Sequence, residues 1–211
     1  MDKQRLVQTA QALVADKKGI LAADESGGTI KRRFDSINVE STEKTRRDYR
    51  EMLFRTAGVS DFISGVILFD ETIRQEGADG TPLVKVLTDQ GMIPGIKVDK
   101  GTIPLPEAPD ELVTEGLDGL RDRLNEYAEL GAGFTKWRAV IDIADDTPTP
   151  YGLNANAHSL ARFAALSQEA GLVPIVEPEI LRDGGHSIER CFEVTEETLR
   201  EVFDQLAQQK V

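Results

Sequence analysis

Glu177 and Glu179 stand two residues apart in Ile175-Val176-Glu177-Pro178-Glu179-Ile180-Leu181. In a strand, side chains at i and i+2 project from one face, so both carboxylates should share a face where that strand ends. Like charges crowded into a partly buried place shift each other's pKa values, which suits general acid/base work. Other apolar runs end the same way: Asp24 closes Gly19–Asp24, and Asp99 follows Ile96-Lys97-Val98. Cations occupy comparable places at Lys97 and in Phe134-Thr135-Lys136-Trp137-Arg138. Lys97 is ordinary in a half-exposed strand, but in a strand buried on both faces it needs a partner or a ligand. Lys136 and Arg138 share a face beside Trp137, and an ion pair with Glu177 or Asp24 explains them nearly as well as a ligand does. One edge of one sheet is thus expected to collect acids and cations.

A second cluster follows the first strand. Ser26-Gly27-Gly28-Thr29 leads into Lys31-Arg32-Arg33. Hydroxyls and glycines at a helix start, followed by cations, suit a phosphate, although a turn with a solvated basic patch reads the same way. Metal chemistry has little support. His158 and His186 are the only histidines, and neither lies in a spaced ligand motif. Neither a dinucleotide fingerprint nor a Walker loop is present. Cys191 has no evident base nearby in sequence and reads as structural.

The elements that must position these residues alternate between amphipathic helices and short apolar strands. Strands are expected over Gly19–Asp24, Phe62–Phe69, Met92–Val98, Gly133–Val140 and Leu172–Val176. Between them, Leu6, Ala10, Leu13 and Val14 keep helical spacing, as do Leu117, Leu120, Leu124 and Tyr127, and Leu160, Phe163, Ala164 and Ser167. Ser41 can cap a helix with the face Tyr49, Met52, Leu53 and Ala57; Thr195 can cap a last one with the face Leu199, Val202, Phe203 and Leu206. The segments 70–91 and 99–110 read as Gly- and Pro-rich loops. Apolar strands alternating with helices imply a mostly parallel sheet covered by helices. Either an open doubly wound sheet or most of a (β/α)8 barrel fits.

Composition narrows the classes. The 211 residues, 40% hydrophobic and 29% charged, describe an ordinary globular chain, read here as one domain over 1–211. A net charge of −12 argues against nucleic acid and anionic membrane partners. No apolar run reaches a membrane-spanning length, and no secretory signal pattern opens the chain. A single cysteine excludes an internal disulfide and fits a reducing compartment.

Gly19–Ser26, Gly65–Phe69 followed by Asp70-Glu71-Thr72, Gly95–Gly101, Gly116–Leu120, Lys136–Arg138 and Val173–Leu181 together resemble class I fructose-1,6-bisphosphate aldolase, in order and in spacing. The resemblance runs from Met1 to Val211. It implies a (β/α)8 TIM barrel, here incomplete at about five βα units, and reversible retro-aldol cleavage through a lysine Schiff base with no metal or other cofactor. It implies catalytic roles for Asp24 (carbinolamine formation and C4-hydroxyl chemistry), Glu177 (main acid/base), Glu179 (electrostatic support) and Lys136 (positive partner and aid to proton transfer). Ser26, Thr29, Arg32, Arg33, Lys97 and Arg138 then surround the sugar phosphate. The family's Lys-Arg pair is replaced here by Arg32-Arg33, which keeps the charge. The resemblance further implies a cytoplasmic protein, often a homo-tetramer, whose partner is a small sugar phosphate. The family's Schiff-base lysine follows a Tyr/Leu-Glu-Gly run on strand six, expected past Val211, and Lys210 has the wrong context to replace it. The chain is therefore expected to be an N-terminal portion of an aldolase, inactive alone; the alternative is a non-catalytic α/β binding or scaffold protein derived from one.

Overall fold

The computed structural model describes residues 2–211. Along the chain run α1 (Lys3–Leu13), β1 (Gly19–Ala23), α2 (Gly27–Asp35), α3 (Glu43–Phe54), α4 (Val59–Phe62), β2 (Ile63–Leu68), α5 (Asp70–Ile73), α6 (Leu83–Thr88) and β3 (Ile93–Lys97). There follow β4 (Thr102–Leu105), β5 (Ala108–Thr114), α7 (Leu120–Glu129), β6 (Phe134–Ile141), α8 (Pro150–Glu169), β7 (Val173–Ile180) and α9 (Ile188–Gln208). Among the described residues the main sheet has five parallel strands in the order β1-β2-β3-β6-β7, with β1 and β7 at its edges. Consecutive neighbours joined by helices are the repeating unit of a (β/α) barrel, and the sheet forms a half-barrel. Among the described residues no helix is long and apolar enough to cross a membrane.

Two layers of side chains separate the sheet's faces. Outward, Trp137 of β6 is fully buried and stacks on Phe163 of α8, their ring centroids 5.6 Å apart. Thr135 beside it bonds Ser167 of α8 at 2.9 Å. Inward, Phe134 packs with Ile67 and with Leu13, which α1 inserts at the bottom of the half-barrel. Ser64 fixes that plug by donating to the Leu13 carbonyl at 2.5 Å. The alternation along β6 therefore leaves Lys136 and Arg138 on the inner face, above Phe134.

Helix caps and buried faces depart from the sequence reading in α3 and α9. Thr42, not Ser41, caps α3: its hydroxyl accepts from Thr45 N–H at 3.1 Å while Thr45 returns the bond. The buried face of α3 is Arg50 and Phe54, whereas Met52 is 58% exposed. A core arginine, absent from the expected face, rotates the buried side of the helix. The last helix starts at Ser187, which accepts from Arg190 N–H. Thr195 lies inside it and donates to the Cys191 carbonyl at 2.7 Å. Its buried side is Val194, Thr198 and Val202, while Leu199 and Phe203 are exposed.

The two expected loops are also ordered. Residues 70–91 hold α5 and α6, with an antiparallel bridge between Glu76 and Pro82. Residues 99–110 hold β4 and the start of β5, an antiparallel pair. Local pairing satisfies backbone groups that bare loops would leave to water.

Gly95 of β3 and Phe134 of β6 are register partners. A Cβ at Gly95 would lie 2.3 Å from the Phe134 ring. Gly95→Val is therefore expected to destabilise the chain by about 1–3 kcal/mol, measured by denaturant unfolding, and Phe134→Leu in the same chain should restore part of that loss. An unchanged midpoint for Gly95→Val would contradict the packing.

Candidate active site

The C-terminal ends of the parallel strands open into a cleft of about 840 Å³. Strands deliver its charges in register: Lys97 of β3 pairs with Lys136 of β6, and Arg138 of β6 pairs with Glu177 of β7. Asp24 follows β1 directly. Nine of the ten expected site residues line the cleft: Asp24, Ser26, Thr29, Arg33, Lys97, Lys136, Arg138, Glu177 and Glu179. Arg32 does not. It sits on α2 outside the lining, 3.4 Å from the Thr29 hydroxyl. Adjacent helix positions point about 100° apart, so only one of two neighbouring arginines can face the cleft.

Lys136 is the centre of the arrangement. Its side chain is 9% exposed, and Nζ lies 3.0 Å from Asp24 Oδ2 and 3.1 Å from Glu177 Oε1. Burial alone favours the neutral amine, but Asp24 and Glu177 outweigh it, holding the ammonium above the ordinary lysine range. One cation thus joins an acid from the first strand's end to an acid on the last strand of the sheet.

Glu177 and Glu179 do line one face, as the two-residue spacing implies. The structure inserts Arg138 between them: its Nε donates to Glu179 and lies 4.0 Å from Glu177. Donating this hydrogen bond to Glu179 raises the guanidinium's pKa further, against a smaller desolvation effect. Lys97 is paired as well, with Asp99 two residues on. Asp99 also accepts from the Gly101 and Arg138 backbone N–H groups, at 3.2 and 3.3 Å. A nearly buried carboxylate thereby ties the strand end, the next loop and the neighbouring strand.

The phosphate-like corner is built at the start of α2. Ser26 and Thr29 hydroxyls are 3.2 Å apart. Arg33 reaches back to Glu25 Oε1 at 2.5 Å. Gly28 has open space where a Cβ would stand, so this helix start presents backbone N–H groups without side-chain cover.

Sequence reading passed over Glu25, Arg123 and Tyr127. Tyr127 was read only as helix core, yet its hydroxyl donates to Asp70 at 2.8 Å on the cleft wall. Arg123 donates to the carbonyls of Val98 and Gly116, at 3.0 and 2.5 Å. Gly116 needs a φ of +128° there, and its motif, GLDGL, was the available signal. Among the described residues no three His, Cys, Asp or Glu side chains group as a metal site would need.

The family model for class I fructose-bisphosphate aldolase matches residues 5–211. The chain belongs to the class I fructose-bisphosphate aldolase family. A probable class 1 fructose-bisphosphate aldolase from Xanthomonas campestris is 60% identical over 211 residues. That match takes in the whole of this chain, which spans 63% of the relative's length. Fructose-bisphosphate aldolase 6, cytosolic, from Arabidopsis thaliana is 52% identical over 206 residues, covering 98% of this chain and 58% of its own length. Among solved structures, a Plasmodium falciparum fructose-bisphosphate aldolase in complex with TRAP and a small-molecule inhibitor superposes with a TM-score of 0.97 at 50% identity. It covers 99% of this chain, which covers 60% of it. The aldolase barrel is therefore the architecture, and the doubly wound alternative falls.

A lysine with a raised folded-state pKa contributes stability that is complete below the ordinary lysine value of 10.5 and is lost as pH climbs through the folded value. The ε-carbon resonance of Lys136 is expected to titrate above those of the surface lysines, and Glu177→Gln should lower its midpoint. A Lys136 titration in step with the exposed lysines would show that the three-way ion pair does not persist in solution.

Proposed function

We propose that this chain provides the acid–base and one phosphate-binding side of a class I aldolase site acting on fructose 1,6-bisphosphate. The observation that carries this is the buried Lys136 ammonium between Asp24 and Glu177 at the mouth of the half-barrel. In the family reaction a lysine imine draws electrons toward the substrate's ketone carbon. As the C4 hydroxyl loses its proton, the bond between C3 and C4 breaks. The aldehyde leaves as glyceraldehyde 3-phosphate, and the electron pair passes into an enamine; protonation at C3 restores the imine, and water then hydrolyses its C–N bond to release dihydroxyacetone phosphate and the free lysine.

Within this scheme Glu177 takes and returns the hydroxyl proton, with Asp24 aiding carbinolamine formation. Both face the open cleft. Lys136 balances their charge, and Glu179 acts through Arg138. Ser26, Thr29 and Arg33 grip one phosphate, and Lys97 and Arg138 meet the substrate's remaining polar groups. Arg32 adds to the field rather than to the contact. Neither cleft lysine on a strand suits the imine role, because the amine of each is engaged in an ion pair with a carboxylate and a nucleophilic amine must be free and neutral. The imine-forming lysine is then supplied by the part of the family sequence that this chain does not span. A cytoplasmic setting accompanies this reading, supported by the cytosolic Arabidopsis relative.

Two experiments test the proposal. Borohydride reduction of the 211-residue chain with dihydroxyacetone phosphate should leave Lys97 and Lys136 unmodified by mass spectrometry; a stoichiometric adduct on either would overturn the assignment of roles. Joined to the remainder of the Xanthomonas relative, the chain should cleave fructose 1,6-bisphosphate. Glu177→Gln in that chimera should lower kcat by about 10²–10⁴-fold. A chimera that binds the sugar bisphosphate without cleaving it would favour a purely binding role.

A further inference from the structure

Arg50 is a fully buried charged residue that the proposed chemistry does not use. It lies on α3, with none of its side chain exposed. Burying a guanidinium is costly unless its donors are satisfied and its charge is answered. Here Nη2 donates to the Glu25 carbonyl at 2.8 Å and Nη1 to the Thr72 hydroxyl at 2.7 Å. Its two carboxylate neighbours are Glu25, 3.6 Å away, and Glu71, 3.8 Å away. Glu25 belongs to the loop after β1, and Thr72 to the helix after β2. One planar fork therefore joins two successive strand-end connections at the cleft rim.

Glu25 carries the effect onward. Its side chain is 7% exposed, and Oε1 holds Arg33 at 2.5 Å. Arg33 itself is 60% exposed, so little else restrains a long and mobile side chain. Glu71 is anchored from the far side by Arg46, at 2.5 Å, which keeps the second carboxylate in place. We infer that Arg50 is a positioning residue for anion binding: it sets the Glu25 loop and carboxylate that aim Arg33 into the cleft. The inference rests on the reading of Arg33 as a phosphate contact. Arg50 touches no ligand, and its two-armed geometry is the part a lysine cannot copy.

The test measures the dissociation constant of inorganic phosphate and the melting temperature of the 211-residue chain. Arg50→Lys and Glu25→Gln are made alone and in an Arg33→Gln background. Arg33→Gln alone should weaken phosphate about tenfold. Arg50→Lys should weaken it about five- to tenfold in the otherwise unchanged chain and less than twofold once Arg33 is gone, while lowering the melting temperature by the same amount in both. A lower melting temperature with unchanged phosphate affinity would reduce Arg50 to a structural brace and overturn the inference. If Arg50→Lys does not fold, Glu25→Gln decides, since the same dependence on Arg33 is required of it. No effect of Arg33→Gln would remove the phosphate contact itself, a failure distinct from that of Arg50 alone.

Discussion

The site depends on keeping one ammonium buried. Lys136 is charged in a place that disfavours charge, and only two carboxylates from opposite sides of the cleft make that tolerable. Asp24 must stand at the end of β1, and Glu177 must sit on the strand next to β6. Those demands explain much of the architecture. The strands must be parallel, so that their C-terminal ends meet, and curled, so that the first and the last can reach one lysine. An open flat sheet would hold β1 and β7 too far apart.

The layer beneath the charges keeps them in place. Phe134, Ile67 and the inserted Leu13 fill the floor, and Gly95 yields the space that the Phe134 ring occupies. Packing therefore sets the height at which Lys136 emerges, and water is excluded from below. The charged groups of the cleft occupy one end of the half-barrel, while the N-terminal helix plugs the other. This separation lets the polar end vary without disturbing the apolar one.

Much of this was legible from the residues. Strand positions and parallel order follow from apolar runs alternating with helices, and inner-face placement of Lys136, Arg138, Glu177 and Glu179 follows from period two. What escaped was mostly polar burial. Arg50 looks like surface because nothing local announces Glu25 and Thr72 as partners, both more than twenty residues away. Its burial also rotated the expected face of α3. Thr195 resembles a cap because threonine before two glutamates commonly is one, but Ser187 takes that role earlier. The hairpin of β4 and β5 was hidden by Pro104 and Pro106, which suit a loop equally well. Arg32 and Arg33 could not be separated without knowing which way α2 faces.

Among the described residues β7 stands at an edge of the sheet. An exposed strand edge is a template for pairing with another chain. This one carries Pro174 and Pro178, which lack the N–H that a new neighbour would bond, and Glu177 and Glu179, whose charges resist burial against a second copy of the same strand. In the 211-residue chain, the carboxylates proposed to move a proton also make the margin of the described sheet a poor seed for aggregation. Neutralising them for a mechanistic study would remove a colloidal safeguard along with an acid.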